Sequence, residues 1–288
     1  MTNDKTGSRE PELHTPCSEL PAPSFLLRAC PRKYDVFGVQ VSATTYDEAT
    51  EFILAAARRR QSAVVSAHAV HALVTCSDDP DLLAKVNRFD IITPDGQPVR
   101  WALNTLHRVG LRDRVRGTDL MLRVCRAAAA RGMPIFLYGS SPDVLARLEA
   151  NLSACCAGIR IAGSYSPPFR PLTGEEEADV IDRIGSSGAG IVFVGLGFPK
   201  QDHFADAMRD RLQAVLVNVG AAFDFHAGLK RSAPRWMQSC GLEWFHRLCH
   251  EPGRLWRRYL DTNSRFLAKF AAAVLRRALR RGSQRNES

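Results

Sequence analysis

The sequence predicts an α/β protein, a mainly parallel sheet covered by helices, with a basic helical appendage at its C-terminal end. Three observations predict it. Short β-branched runs alternate with longer segments of helical periodicity. Each run ends in a turn-forming or polar cluster. Beyond residue 240 the alternation stops, and apolar residues recur at helical spacing with arginines between them.

The strand candidates, in order, are VVSA from Val64, DIIT from Asp90, PIFLYG from Pro134, IRIAGSY from Ile159, GIVFVGLG from Gly190 and AVLVNVG from Ala214. Between them lie helix candidates over Tyr46–Arg60, Gln97–His107, Asp119–Arg131, Asp143–Cys155, Gly174–Ile184 and Gln201–Arg211. Strand and helix in alternation require crossovers, and crossovers place helices on both faces of a parallel sheet. The last segment differs: Leu255/Trp256, Tyr259/Leu260, Phe266/Leu267, Phe270, Val274 and Ala278/Leu279 form an apolar face flanked by cations.

The expected organisation is a disordered leader over 1–32, a catalytic domain over 33–240, the appendage over 241–282 and a disordered tail over 283–288. With 288 residues and 45% hydrophobic content the chain can bury a large core without disulfides. The eight cysteines have no CxxC pairing and no spacing suited to zinc, so they read as reduced thiols. The first thirty residues lack the apolar stretch of an export signal, and no run approaches the roughly 20 apolar residues that cross a bilayer. The net charge of +9 is concentrated from Arg247 onward, which points to an anionic surface as partner.

In an open parallel sheet, ligands gather beyond the strand C-termini. That rule ranks SAHAVH, TPDGQP, YGSSPD, GLGFPKQD and NVGAAFDFHAG as candidate sites. Asp95 of TPDGQP can cap the following helix or accept a substrate proton. Gly195 and Gly197 permit close backbone approach, for a tight turn or for a phosphate at the next helix N-terminus. Lys200 is misplaced for the helix dipole and hints at an anionic ligand, with Gln201 and Asp202 beside it at the same rim. Asp224, between two phenylalanines, needs either an internal salt bridge with Lys230 or Arg231, or a sugar hydroxyl or base edge. Arg247, Arg254, Arg257 and Arg258 are either a solvated basic face or a pyrophosphate clamp. No histidine, cysteine or carboxylate cluster has metal-ligand spacing, so neither metal nor cofactor is expected.

Eight collinear blocks, TPDG, RVRGTDLM, FLYGSSP, VGLGFPKQD, VGAAFDFHAG, KRSAPRWMQ, GLEWFHRL and EPGRLWRRY, resemble the signatures of the WecB/TagA/CpsF bacterial glycosyltransferases, glycosyltransferase family 26, over roughly Tyr34 to Tyr259. The resemblance implies a Rossmann-like domain and an inverting, metal-independent transfer from a UDP-sugar, often an N-acetylmannosamine type, to an undecaprenyl-diphosphate-linked acceptor. It also implies an enzyme on the inner face of the cell membrane, engaged in cell-surface polysaccharide synthesis. Carried over, Asp95 is the catalytic base, with Ser66 and Arg114 also catalytic. His68, Gly139, Gly195, Gly197, Lys200, Gln201, Asp224, Arg247, Arg254 and Arg257 bind substrate. Ser66 and His68 stand where the family has Thr and Asn. A glucosyltransferase of exopolysaccharide assembly and, more remotely, a basic nucleic-acid-binding protein are the alternatives. Homo-oligomerisation is left open.

Overall fold

The computed structural model describes residues 30–286, so the expected leader lies outside the described residues except at 30–32. The chain first forms a two-stranded antiparallel ribbon, β1 (Lys33–Val36) and β2 (Val39–Ser42). Phe37 and Gly38 turn it with φ of 60° and 94°. Positive φ at both central residues is the twist-matched two-residue hairpin geometry.

The main sheet contains β3 (Ala63–His68), β4 (Ile91–Pro94), β5 (Pro134–Gly139), β6 (Arg160–Tyr165), β7 (Ile191–Gly195) and β8 (Val215–Asn218). Its order is β4-β3-β8-β7-β5-β6, and every pairing in it is parallel. The helices between these strands are α1 (Tyr46–Arg58), α2 (Val70–Asp78), α3 (Pro80–Asn87), α4 (Gln97–His107), α5 (Gly117–Ala130), α6 (Pro142–Cys155), α7 (Gly174–Ser186) and α8 (Lys200–Met208). After β8 come two short helices, α9 (Ala222–His226) and α10 (Arg235–Ser239), then α11 (Glu243–His250) and α12 (Pro252–Asn286).

Side-chain alternation sorts the core into two layers. Val64, Ile92, Phe136, Val192 and Leu216 point to the layer holding the hairpin, α2, α3, α4, α8 and α12. Val65, Ile91, Leu137, Phe193 and Val217 point to the layer of α1, α5, α6 and α9. Both faces are covered, which is why the strands read as continuous apolar runs.

The appendage is docked on the body rather than hanging from it. Leu255 and Phe266 are buried, and Phe266 meets Phe37 edge to face at 5.3 Å. Asp78 receives Lys269 Nζ at 2.9 Å and also Arg265. The apolar face expected of this segment is therefore divided. One stripe packs on α2 and α4, while Trp256, Leu260, Leu267, Val274, Leu275 and Leu279 are exposed. A helix this long passes only part of its length over the body, and the rest keeps its apolar residues in solvent. α12 continues to Asn286, past residue 282 where the sequence placed the end of the appendage. Among the described residues no helix is long and apolar enough to cross a membrane.

Candidate active site

The sheet order fixes where a crevice must open. The chain leaves β7 toward β8 on one side and β5 toward β6 on the other, so the loops beyond Gly195 and Gly139 part at a topological switch point. A cleft of about 1910 Å³ lies there, floored by the ends of β3, β4, β5, β7 and β8 and roofed by α11 and α12. The 167–172 segment, with Phe169 at its tip, forms a further wall that sequence reasoning did not anticipate.

Asp95 sits at the end of β4, half-buried in the cleft. It does not cap α4, whose N-cap is Gly96 without a side-chain bond. Among the described residues its carboxylate accepts no hydrogen bond, and only its backbone N–H is engaged, by His68 O at 3.1 Å. Burial lifts this carboxyl above its ordinary range. Arg116 opposes the rise, Glu243 adds to it, and Arg114 and Arg247 oppose it more weakly. A carboxylate at a rigid strand end, with no hydrogen-bond partner among the described residues and a raised pKa, is suited to taking a proton from a bound hydroxyl.

The cations around it come from two parts of the chain. Arg114 and Arg116, in the loop leading to α5, are both buried and both line the cleft. Glu243 on α11 receives Arg114 Nη2 at 2.7 Å and Arg116 Nη2 at 2.9 Å. Arg247, one turn further along α11, lines the cleft with its guanidinium 5.8 Å from the Phe225 ring centroid. Arg116 and Glu243 were missed by sequence reasoning. The available signal was the second arginine of RVRG and the acid of GLEW.

Ser66 and His68 belong elsewhere. Both are fully buried and neither lines the cleft. Ser66 Oγ donates to Asp202 Oδ1 at 2.8 Å, His68 Nε2 donates to Asp202 Oδ2 at 2.9 Å, and Asn218 Nδ2 donates to Oδ1 at 2.7 Å. The parallel register sets Ser66 beside Asn218, so the ends of β3 and β8 present these donors together. Burial works against the Asp202 charge, yet His68 and the donated bonds hold its carboxyl below the usual range. Asp202 is thus not at the rim: it ties α8 to the sheet beneath the cleft floor.

Of the PKQ cluster, Lys200 is exposed on the cleft rim, and Gln201 is buried with its Oε1 unpartnered beside Gly220. Gly195 and Gly197 line the cleft, whereas Gly139 does not. A Cβ on Gly139 would stand 2.7 Å from the Gly195 carbonyl carbon, so its role is close packing of two strand ends. Asp224 lines the cleft but is ion-paired with Lys230 Nζ at 2.8 Å, the salt bridge its surroundings demanded. Arg257 lies outside the cleft, exposed, its guanidinium 5.2 Å from the Trp256 ring centroid. The side chain of Arg254 lies outside the described residues.

The eight-block resemblance and the cleft geometry converge with one comparison. The model of the glycosyl transferase WecG/TagA/CpsF family matches residues 34–281, from the hairpin through most of α12. The chain belongs to that family and is a glycosyltransferase.

Proposed function

We propose that this glycosyltransferase moves a sugar of the N-acetylmannosamine type from UDP to an undecaprenyl-diphosphate-linked acceptor, with inversion, on the cytoplasmic face of the membrane. The product would enter a bacterial cell-surface polysaccharide. The observation that carries the reading is the Asp95 carboxylate, without a hydrogen-bond partner among the described residues, set with Arg114, Arg116 and Arg247 in one cleft at the switch point.

In an inverting transfer one carboxylate deprotonates the acceptor hydroxyl as it attacks the anomeric carbon from the face opposite the leaving group. Asp95 is assigned that step. The departing UDP gains negative charge, and cations with helix-terminal amides can stabilise it without a metal ion. Arg247 and Lys200 both line the cleft, and so do residues at the N-termini of α6 and α8. Arg254 stays in the proposed diphosphate clamp on its motif alone, and Gly195, Gly197, Gln201 and Asp224 in the substrate-binding set.

Leu260 and Leu267 of α12 line the cleft with the exposed Trp101, Trp244 and Phe245, and Leu275 and Leu279 are exposed further along the same arginine-bearing helix. Such a surface favours an anionic bilayer, where each cation near the headgroups adds about 1 kcal/mol of attraction. Purified protein assayed against a panel of UDP-sugars, with a short-chain polyprenyl-diphosphate-linked acceptor, tests the reading. Transfer from one UDP-sugar with inverted anomeric configuration supports it, and turnover of none of them refutes it.

A further inference from the structure

The junction between the sheet domain and α11 is closed by one carboxylate held by two buried guanidiniums. The side chains of Arg114, Arg116 and Glu243 are 7%, 6% and 16% exposed. Glu243 Oε2 accepts from Arg114 and Oε1 from Arg116, so each oxygen is committed to a different arginine. Arg116 is held further by Gln238 Oε1 at 2.8 Å and Asp119 Oδ2 at 3.4 Å. Charges this far from water are costly unless paired, and loss of one member leaves the others uncompensated.

The third acidic group in reach of these arginines is Asp95. The groups facing it are Arg114 and Arg116 from the loop ahead of α5, Glu243 and Arg247 from α11, and Tyr46 from α1. Were Glu243 to leave, Arg114 would lose its carboxylate partner and Arg116 would keep Asp119, and both guanidiniums, which already act on the Asp95 carboxyl, would bear on it more strongly. A carboxylate neutralised in that way is a weaker base and is less free to receive a substrate hydroxyl.

We infer that Glu243 is a positioning residue, which occupies Arg114 and Arg116 so that Asp95 stays available. The inference rests on the reading of Asp95 as base. Glu243 touches no reacting atom; it acts through the two arginines.

The pH dependence of kcat/KM in full-length Glu243→Gln, Glu243→Asp and Arg116→Gln tests this, with the Asp95 carboxyl titration followed in parallel by carbon-13 NMR. Removing the Glu243 charge should move the acid limb and the Asp95 titration to lower pH and reduce kcat at neutral pH by about tenfold, a fraction of the general-base contribution. Glu243→Asp should restore the limb. Arg116→Gln should move both readouts the opposite way, to higher pH, a reversal that a merely structural role would not produce. Limbs and titrations unmoved in both variants, or displaced in the same direction, overturn the inference, as does a kcat loss that only follows a loss of thermal stability. Asp95→Asn in the same series separates the two claims. If it abolishes transfer while the Glu243→Gln limb stays put, only this inference falls; if it transfers at the wild-type rate, the assignment of Asp95 falls first.

Discussion

Replacing Asp202 by Ala should cost stability rather than a ligand contact. The carboxylate is fully buried and is reached by Ser66, His68 and Asn218 at 2.8, 2.9 and 2.7 Å. Truncation strands those three donors in the interior, where each unsatisfied group costs about 1–3 kcal/mol and a broken buried pair about 3–5 kcal/mol. Partial relaxation and water entry make the sum less than additive, so about 4 kcal/mol is the expected loss from a total of about 5–15 kcal/mol. At roughly 2–4 °C per kcal/mol for a domain of this size, the melting midpoint should fall by roughly 8–16 °C. The effect has a pH signature. The folded Asp202 carboxyl is held below its ordinary range, so its stabilisation is complete above the unfolded value of about 4 and is lost as pH falls through the folded value. Thermal melts by circular dichroism should therefore show a large gap between wild type and variant at pH 7 that narrows in acid. A variant that melts with the wild type yet fails to bind the donor would refute this reasoning and return Asp202 to the substrate.

Gly195→Ala should destabilise by about 1–3 kcal/mol through overpacking, because its Cβ would stand 2.5 Å from Cδ2 of the buried Phe223; calorimetric melting reads it. Phe266→Ala should remove about 3–5 kcal/mol from the docking of α12, seen as faster limited proteolysis within that helix while the sheet domain stays intact. Changing the exposed Leu260, Leu267, Leu275 and Leu279 to Ser should leave melting unchanged and abolish flotation with anionic liposomes; equal flotation would remove the apolar stripe from membrane binding.

All six strands of the main sheet were legible in the sequence: strands buried on both faces leave apolar runs, and the edge strand β6, which is not buried, was marked by the IRIAGSY run between two helical patterns. The helices starting at Tyr46, Gln97 and Gly174 were legible to the first residue; the first and third carry capping boxes and the second has Pro98 in its first turn. The hairpin was not, since Phe37-Gly38 lacks the Asn-Gly or Asp-Gly signal of its turn type. α2 was not recognised, since Ala69 provides no side-chain cap. α3 was overlooked although Asp79 caps it and Pro80 opens it.

For the site, position at a strand end singled out Asp95 and the patterned helix singled out Arg247, whereas Arg114 came from the family resemblance alone. Ser66 and His68 were misplaced because a polar strand end looks the same whether it faces a cleft or a buried carboxylate. Their true partner, Asp202, lies 136 and 134 residues away in the chain and only the register brings it near. Arg116 and Glu243 were hidden for the same reason, as a pairing across 127 positions that no local pattern records.

The central claim is that Asp95 is the base of an inverting sugar transfer. Asp95→Asn preserves shape and removes the proton acceptor, so UDP-sugar binding by isothermal calorimetry should match the wild type while transfer falls by at least about 10²-fold. Transfer at the wild-type rate by that variant would contradict the account.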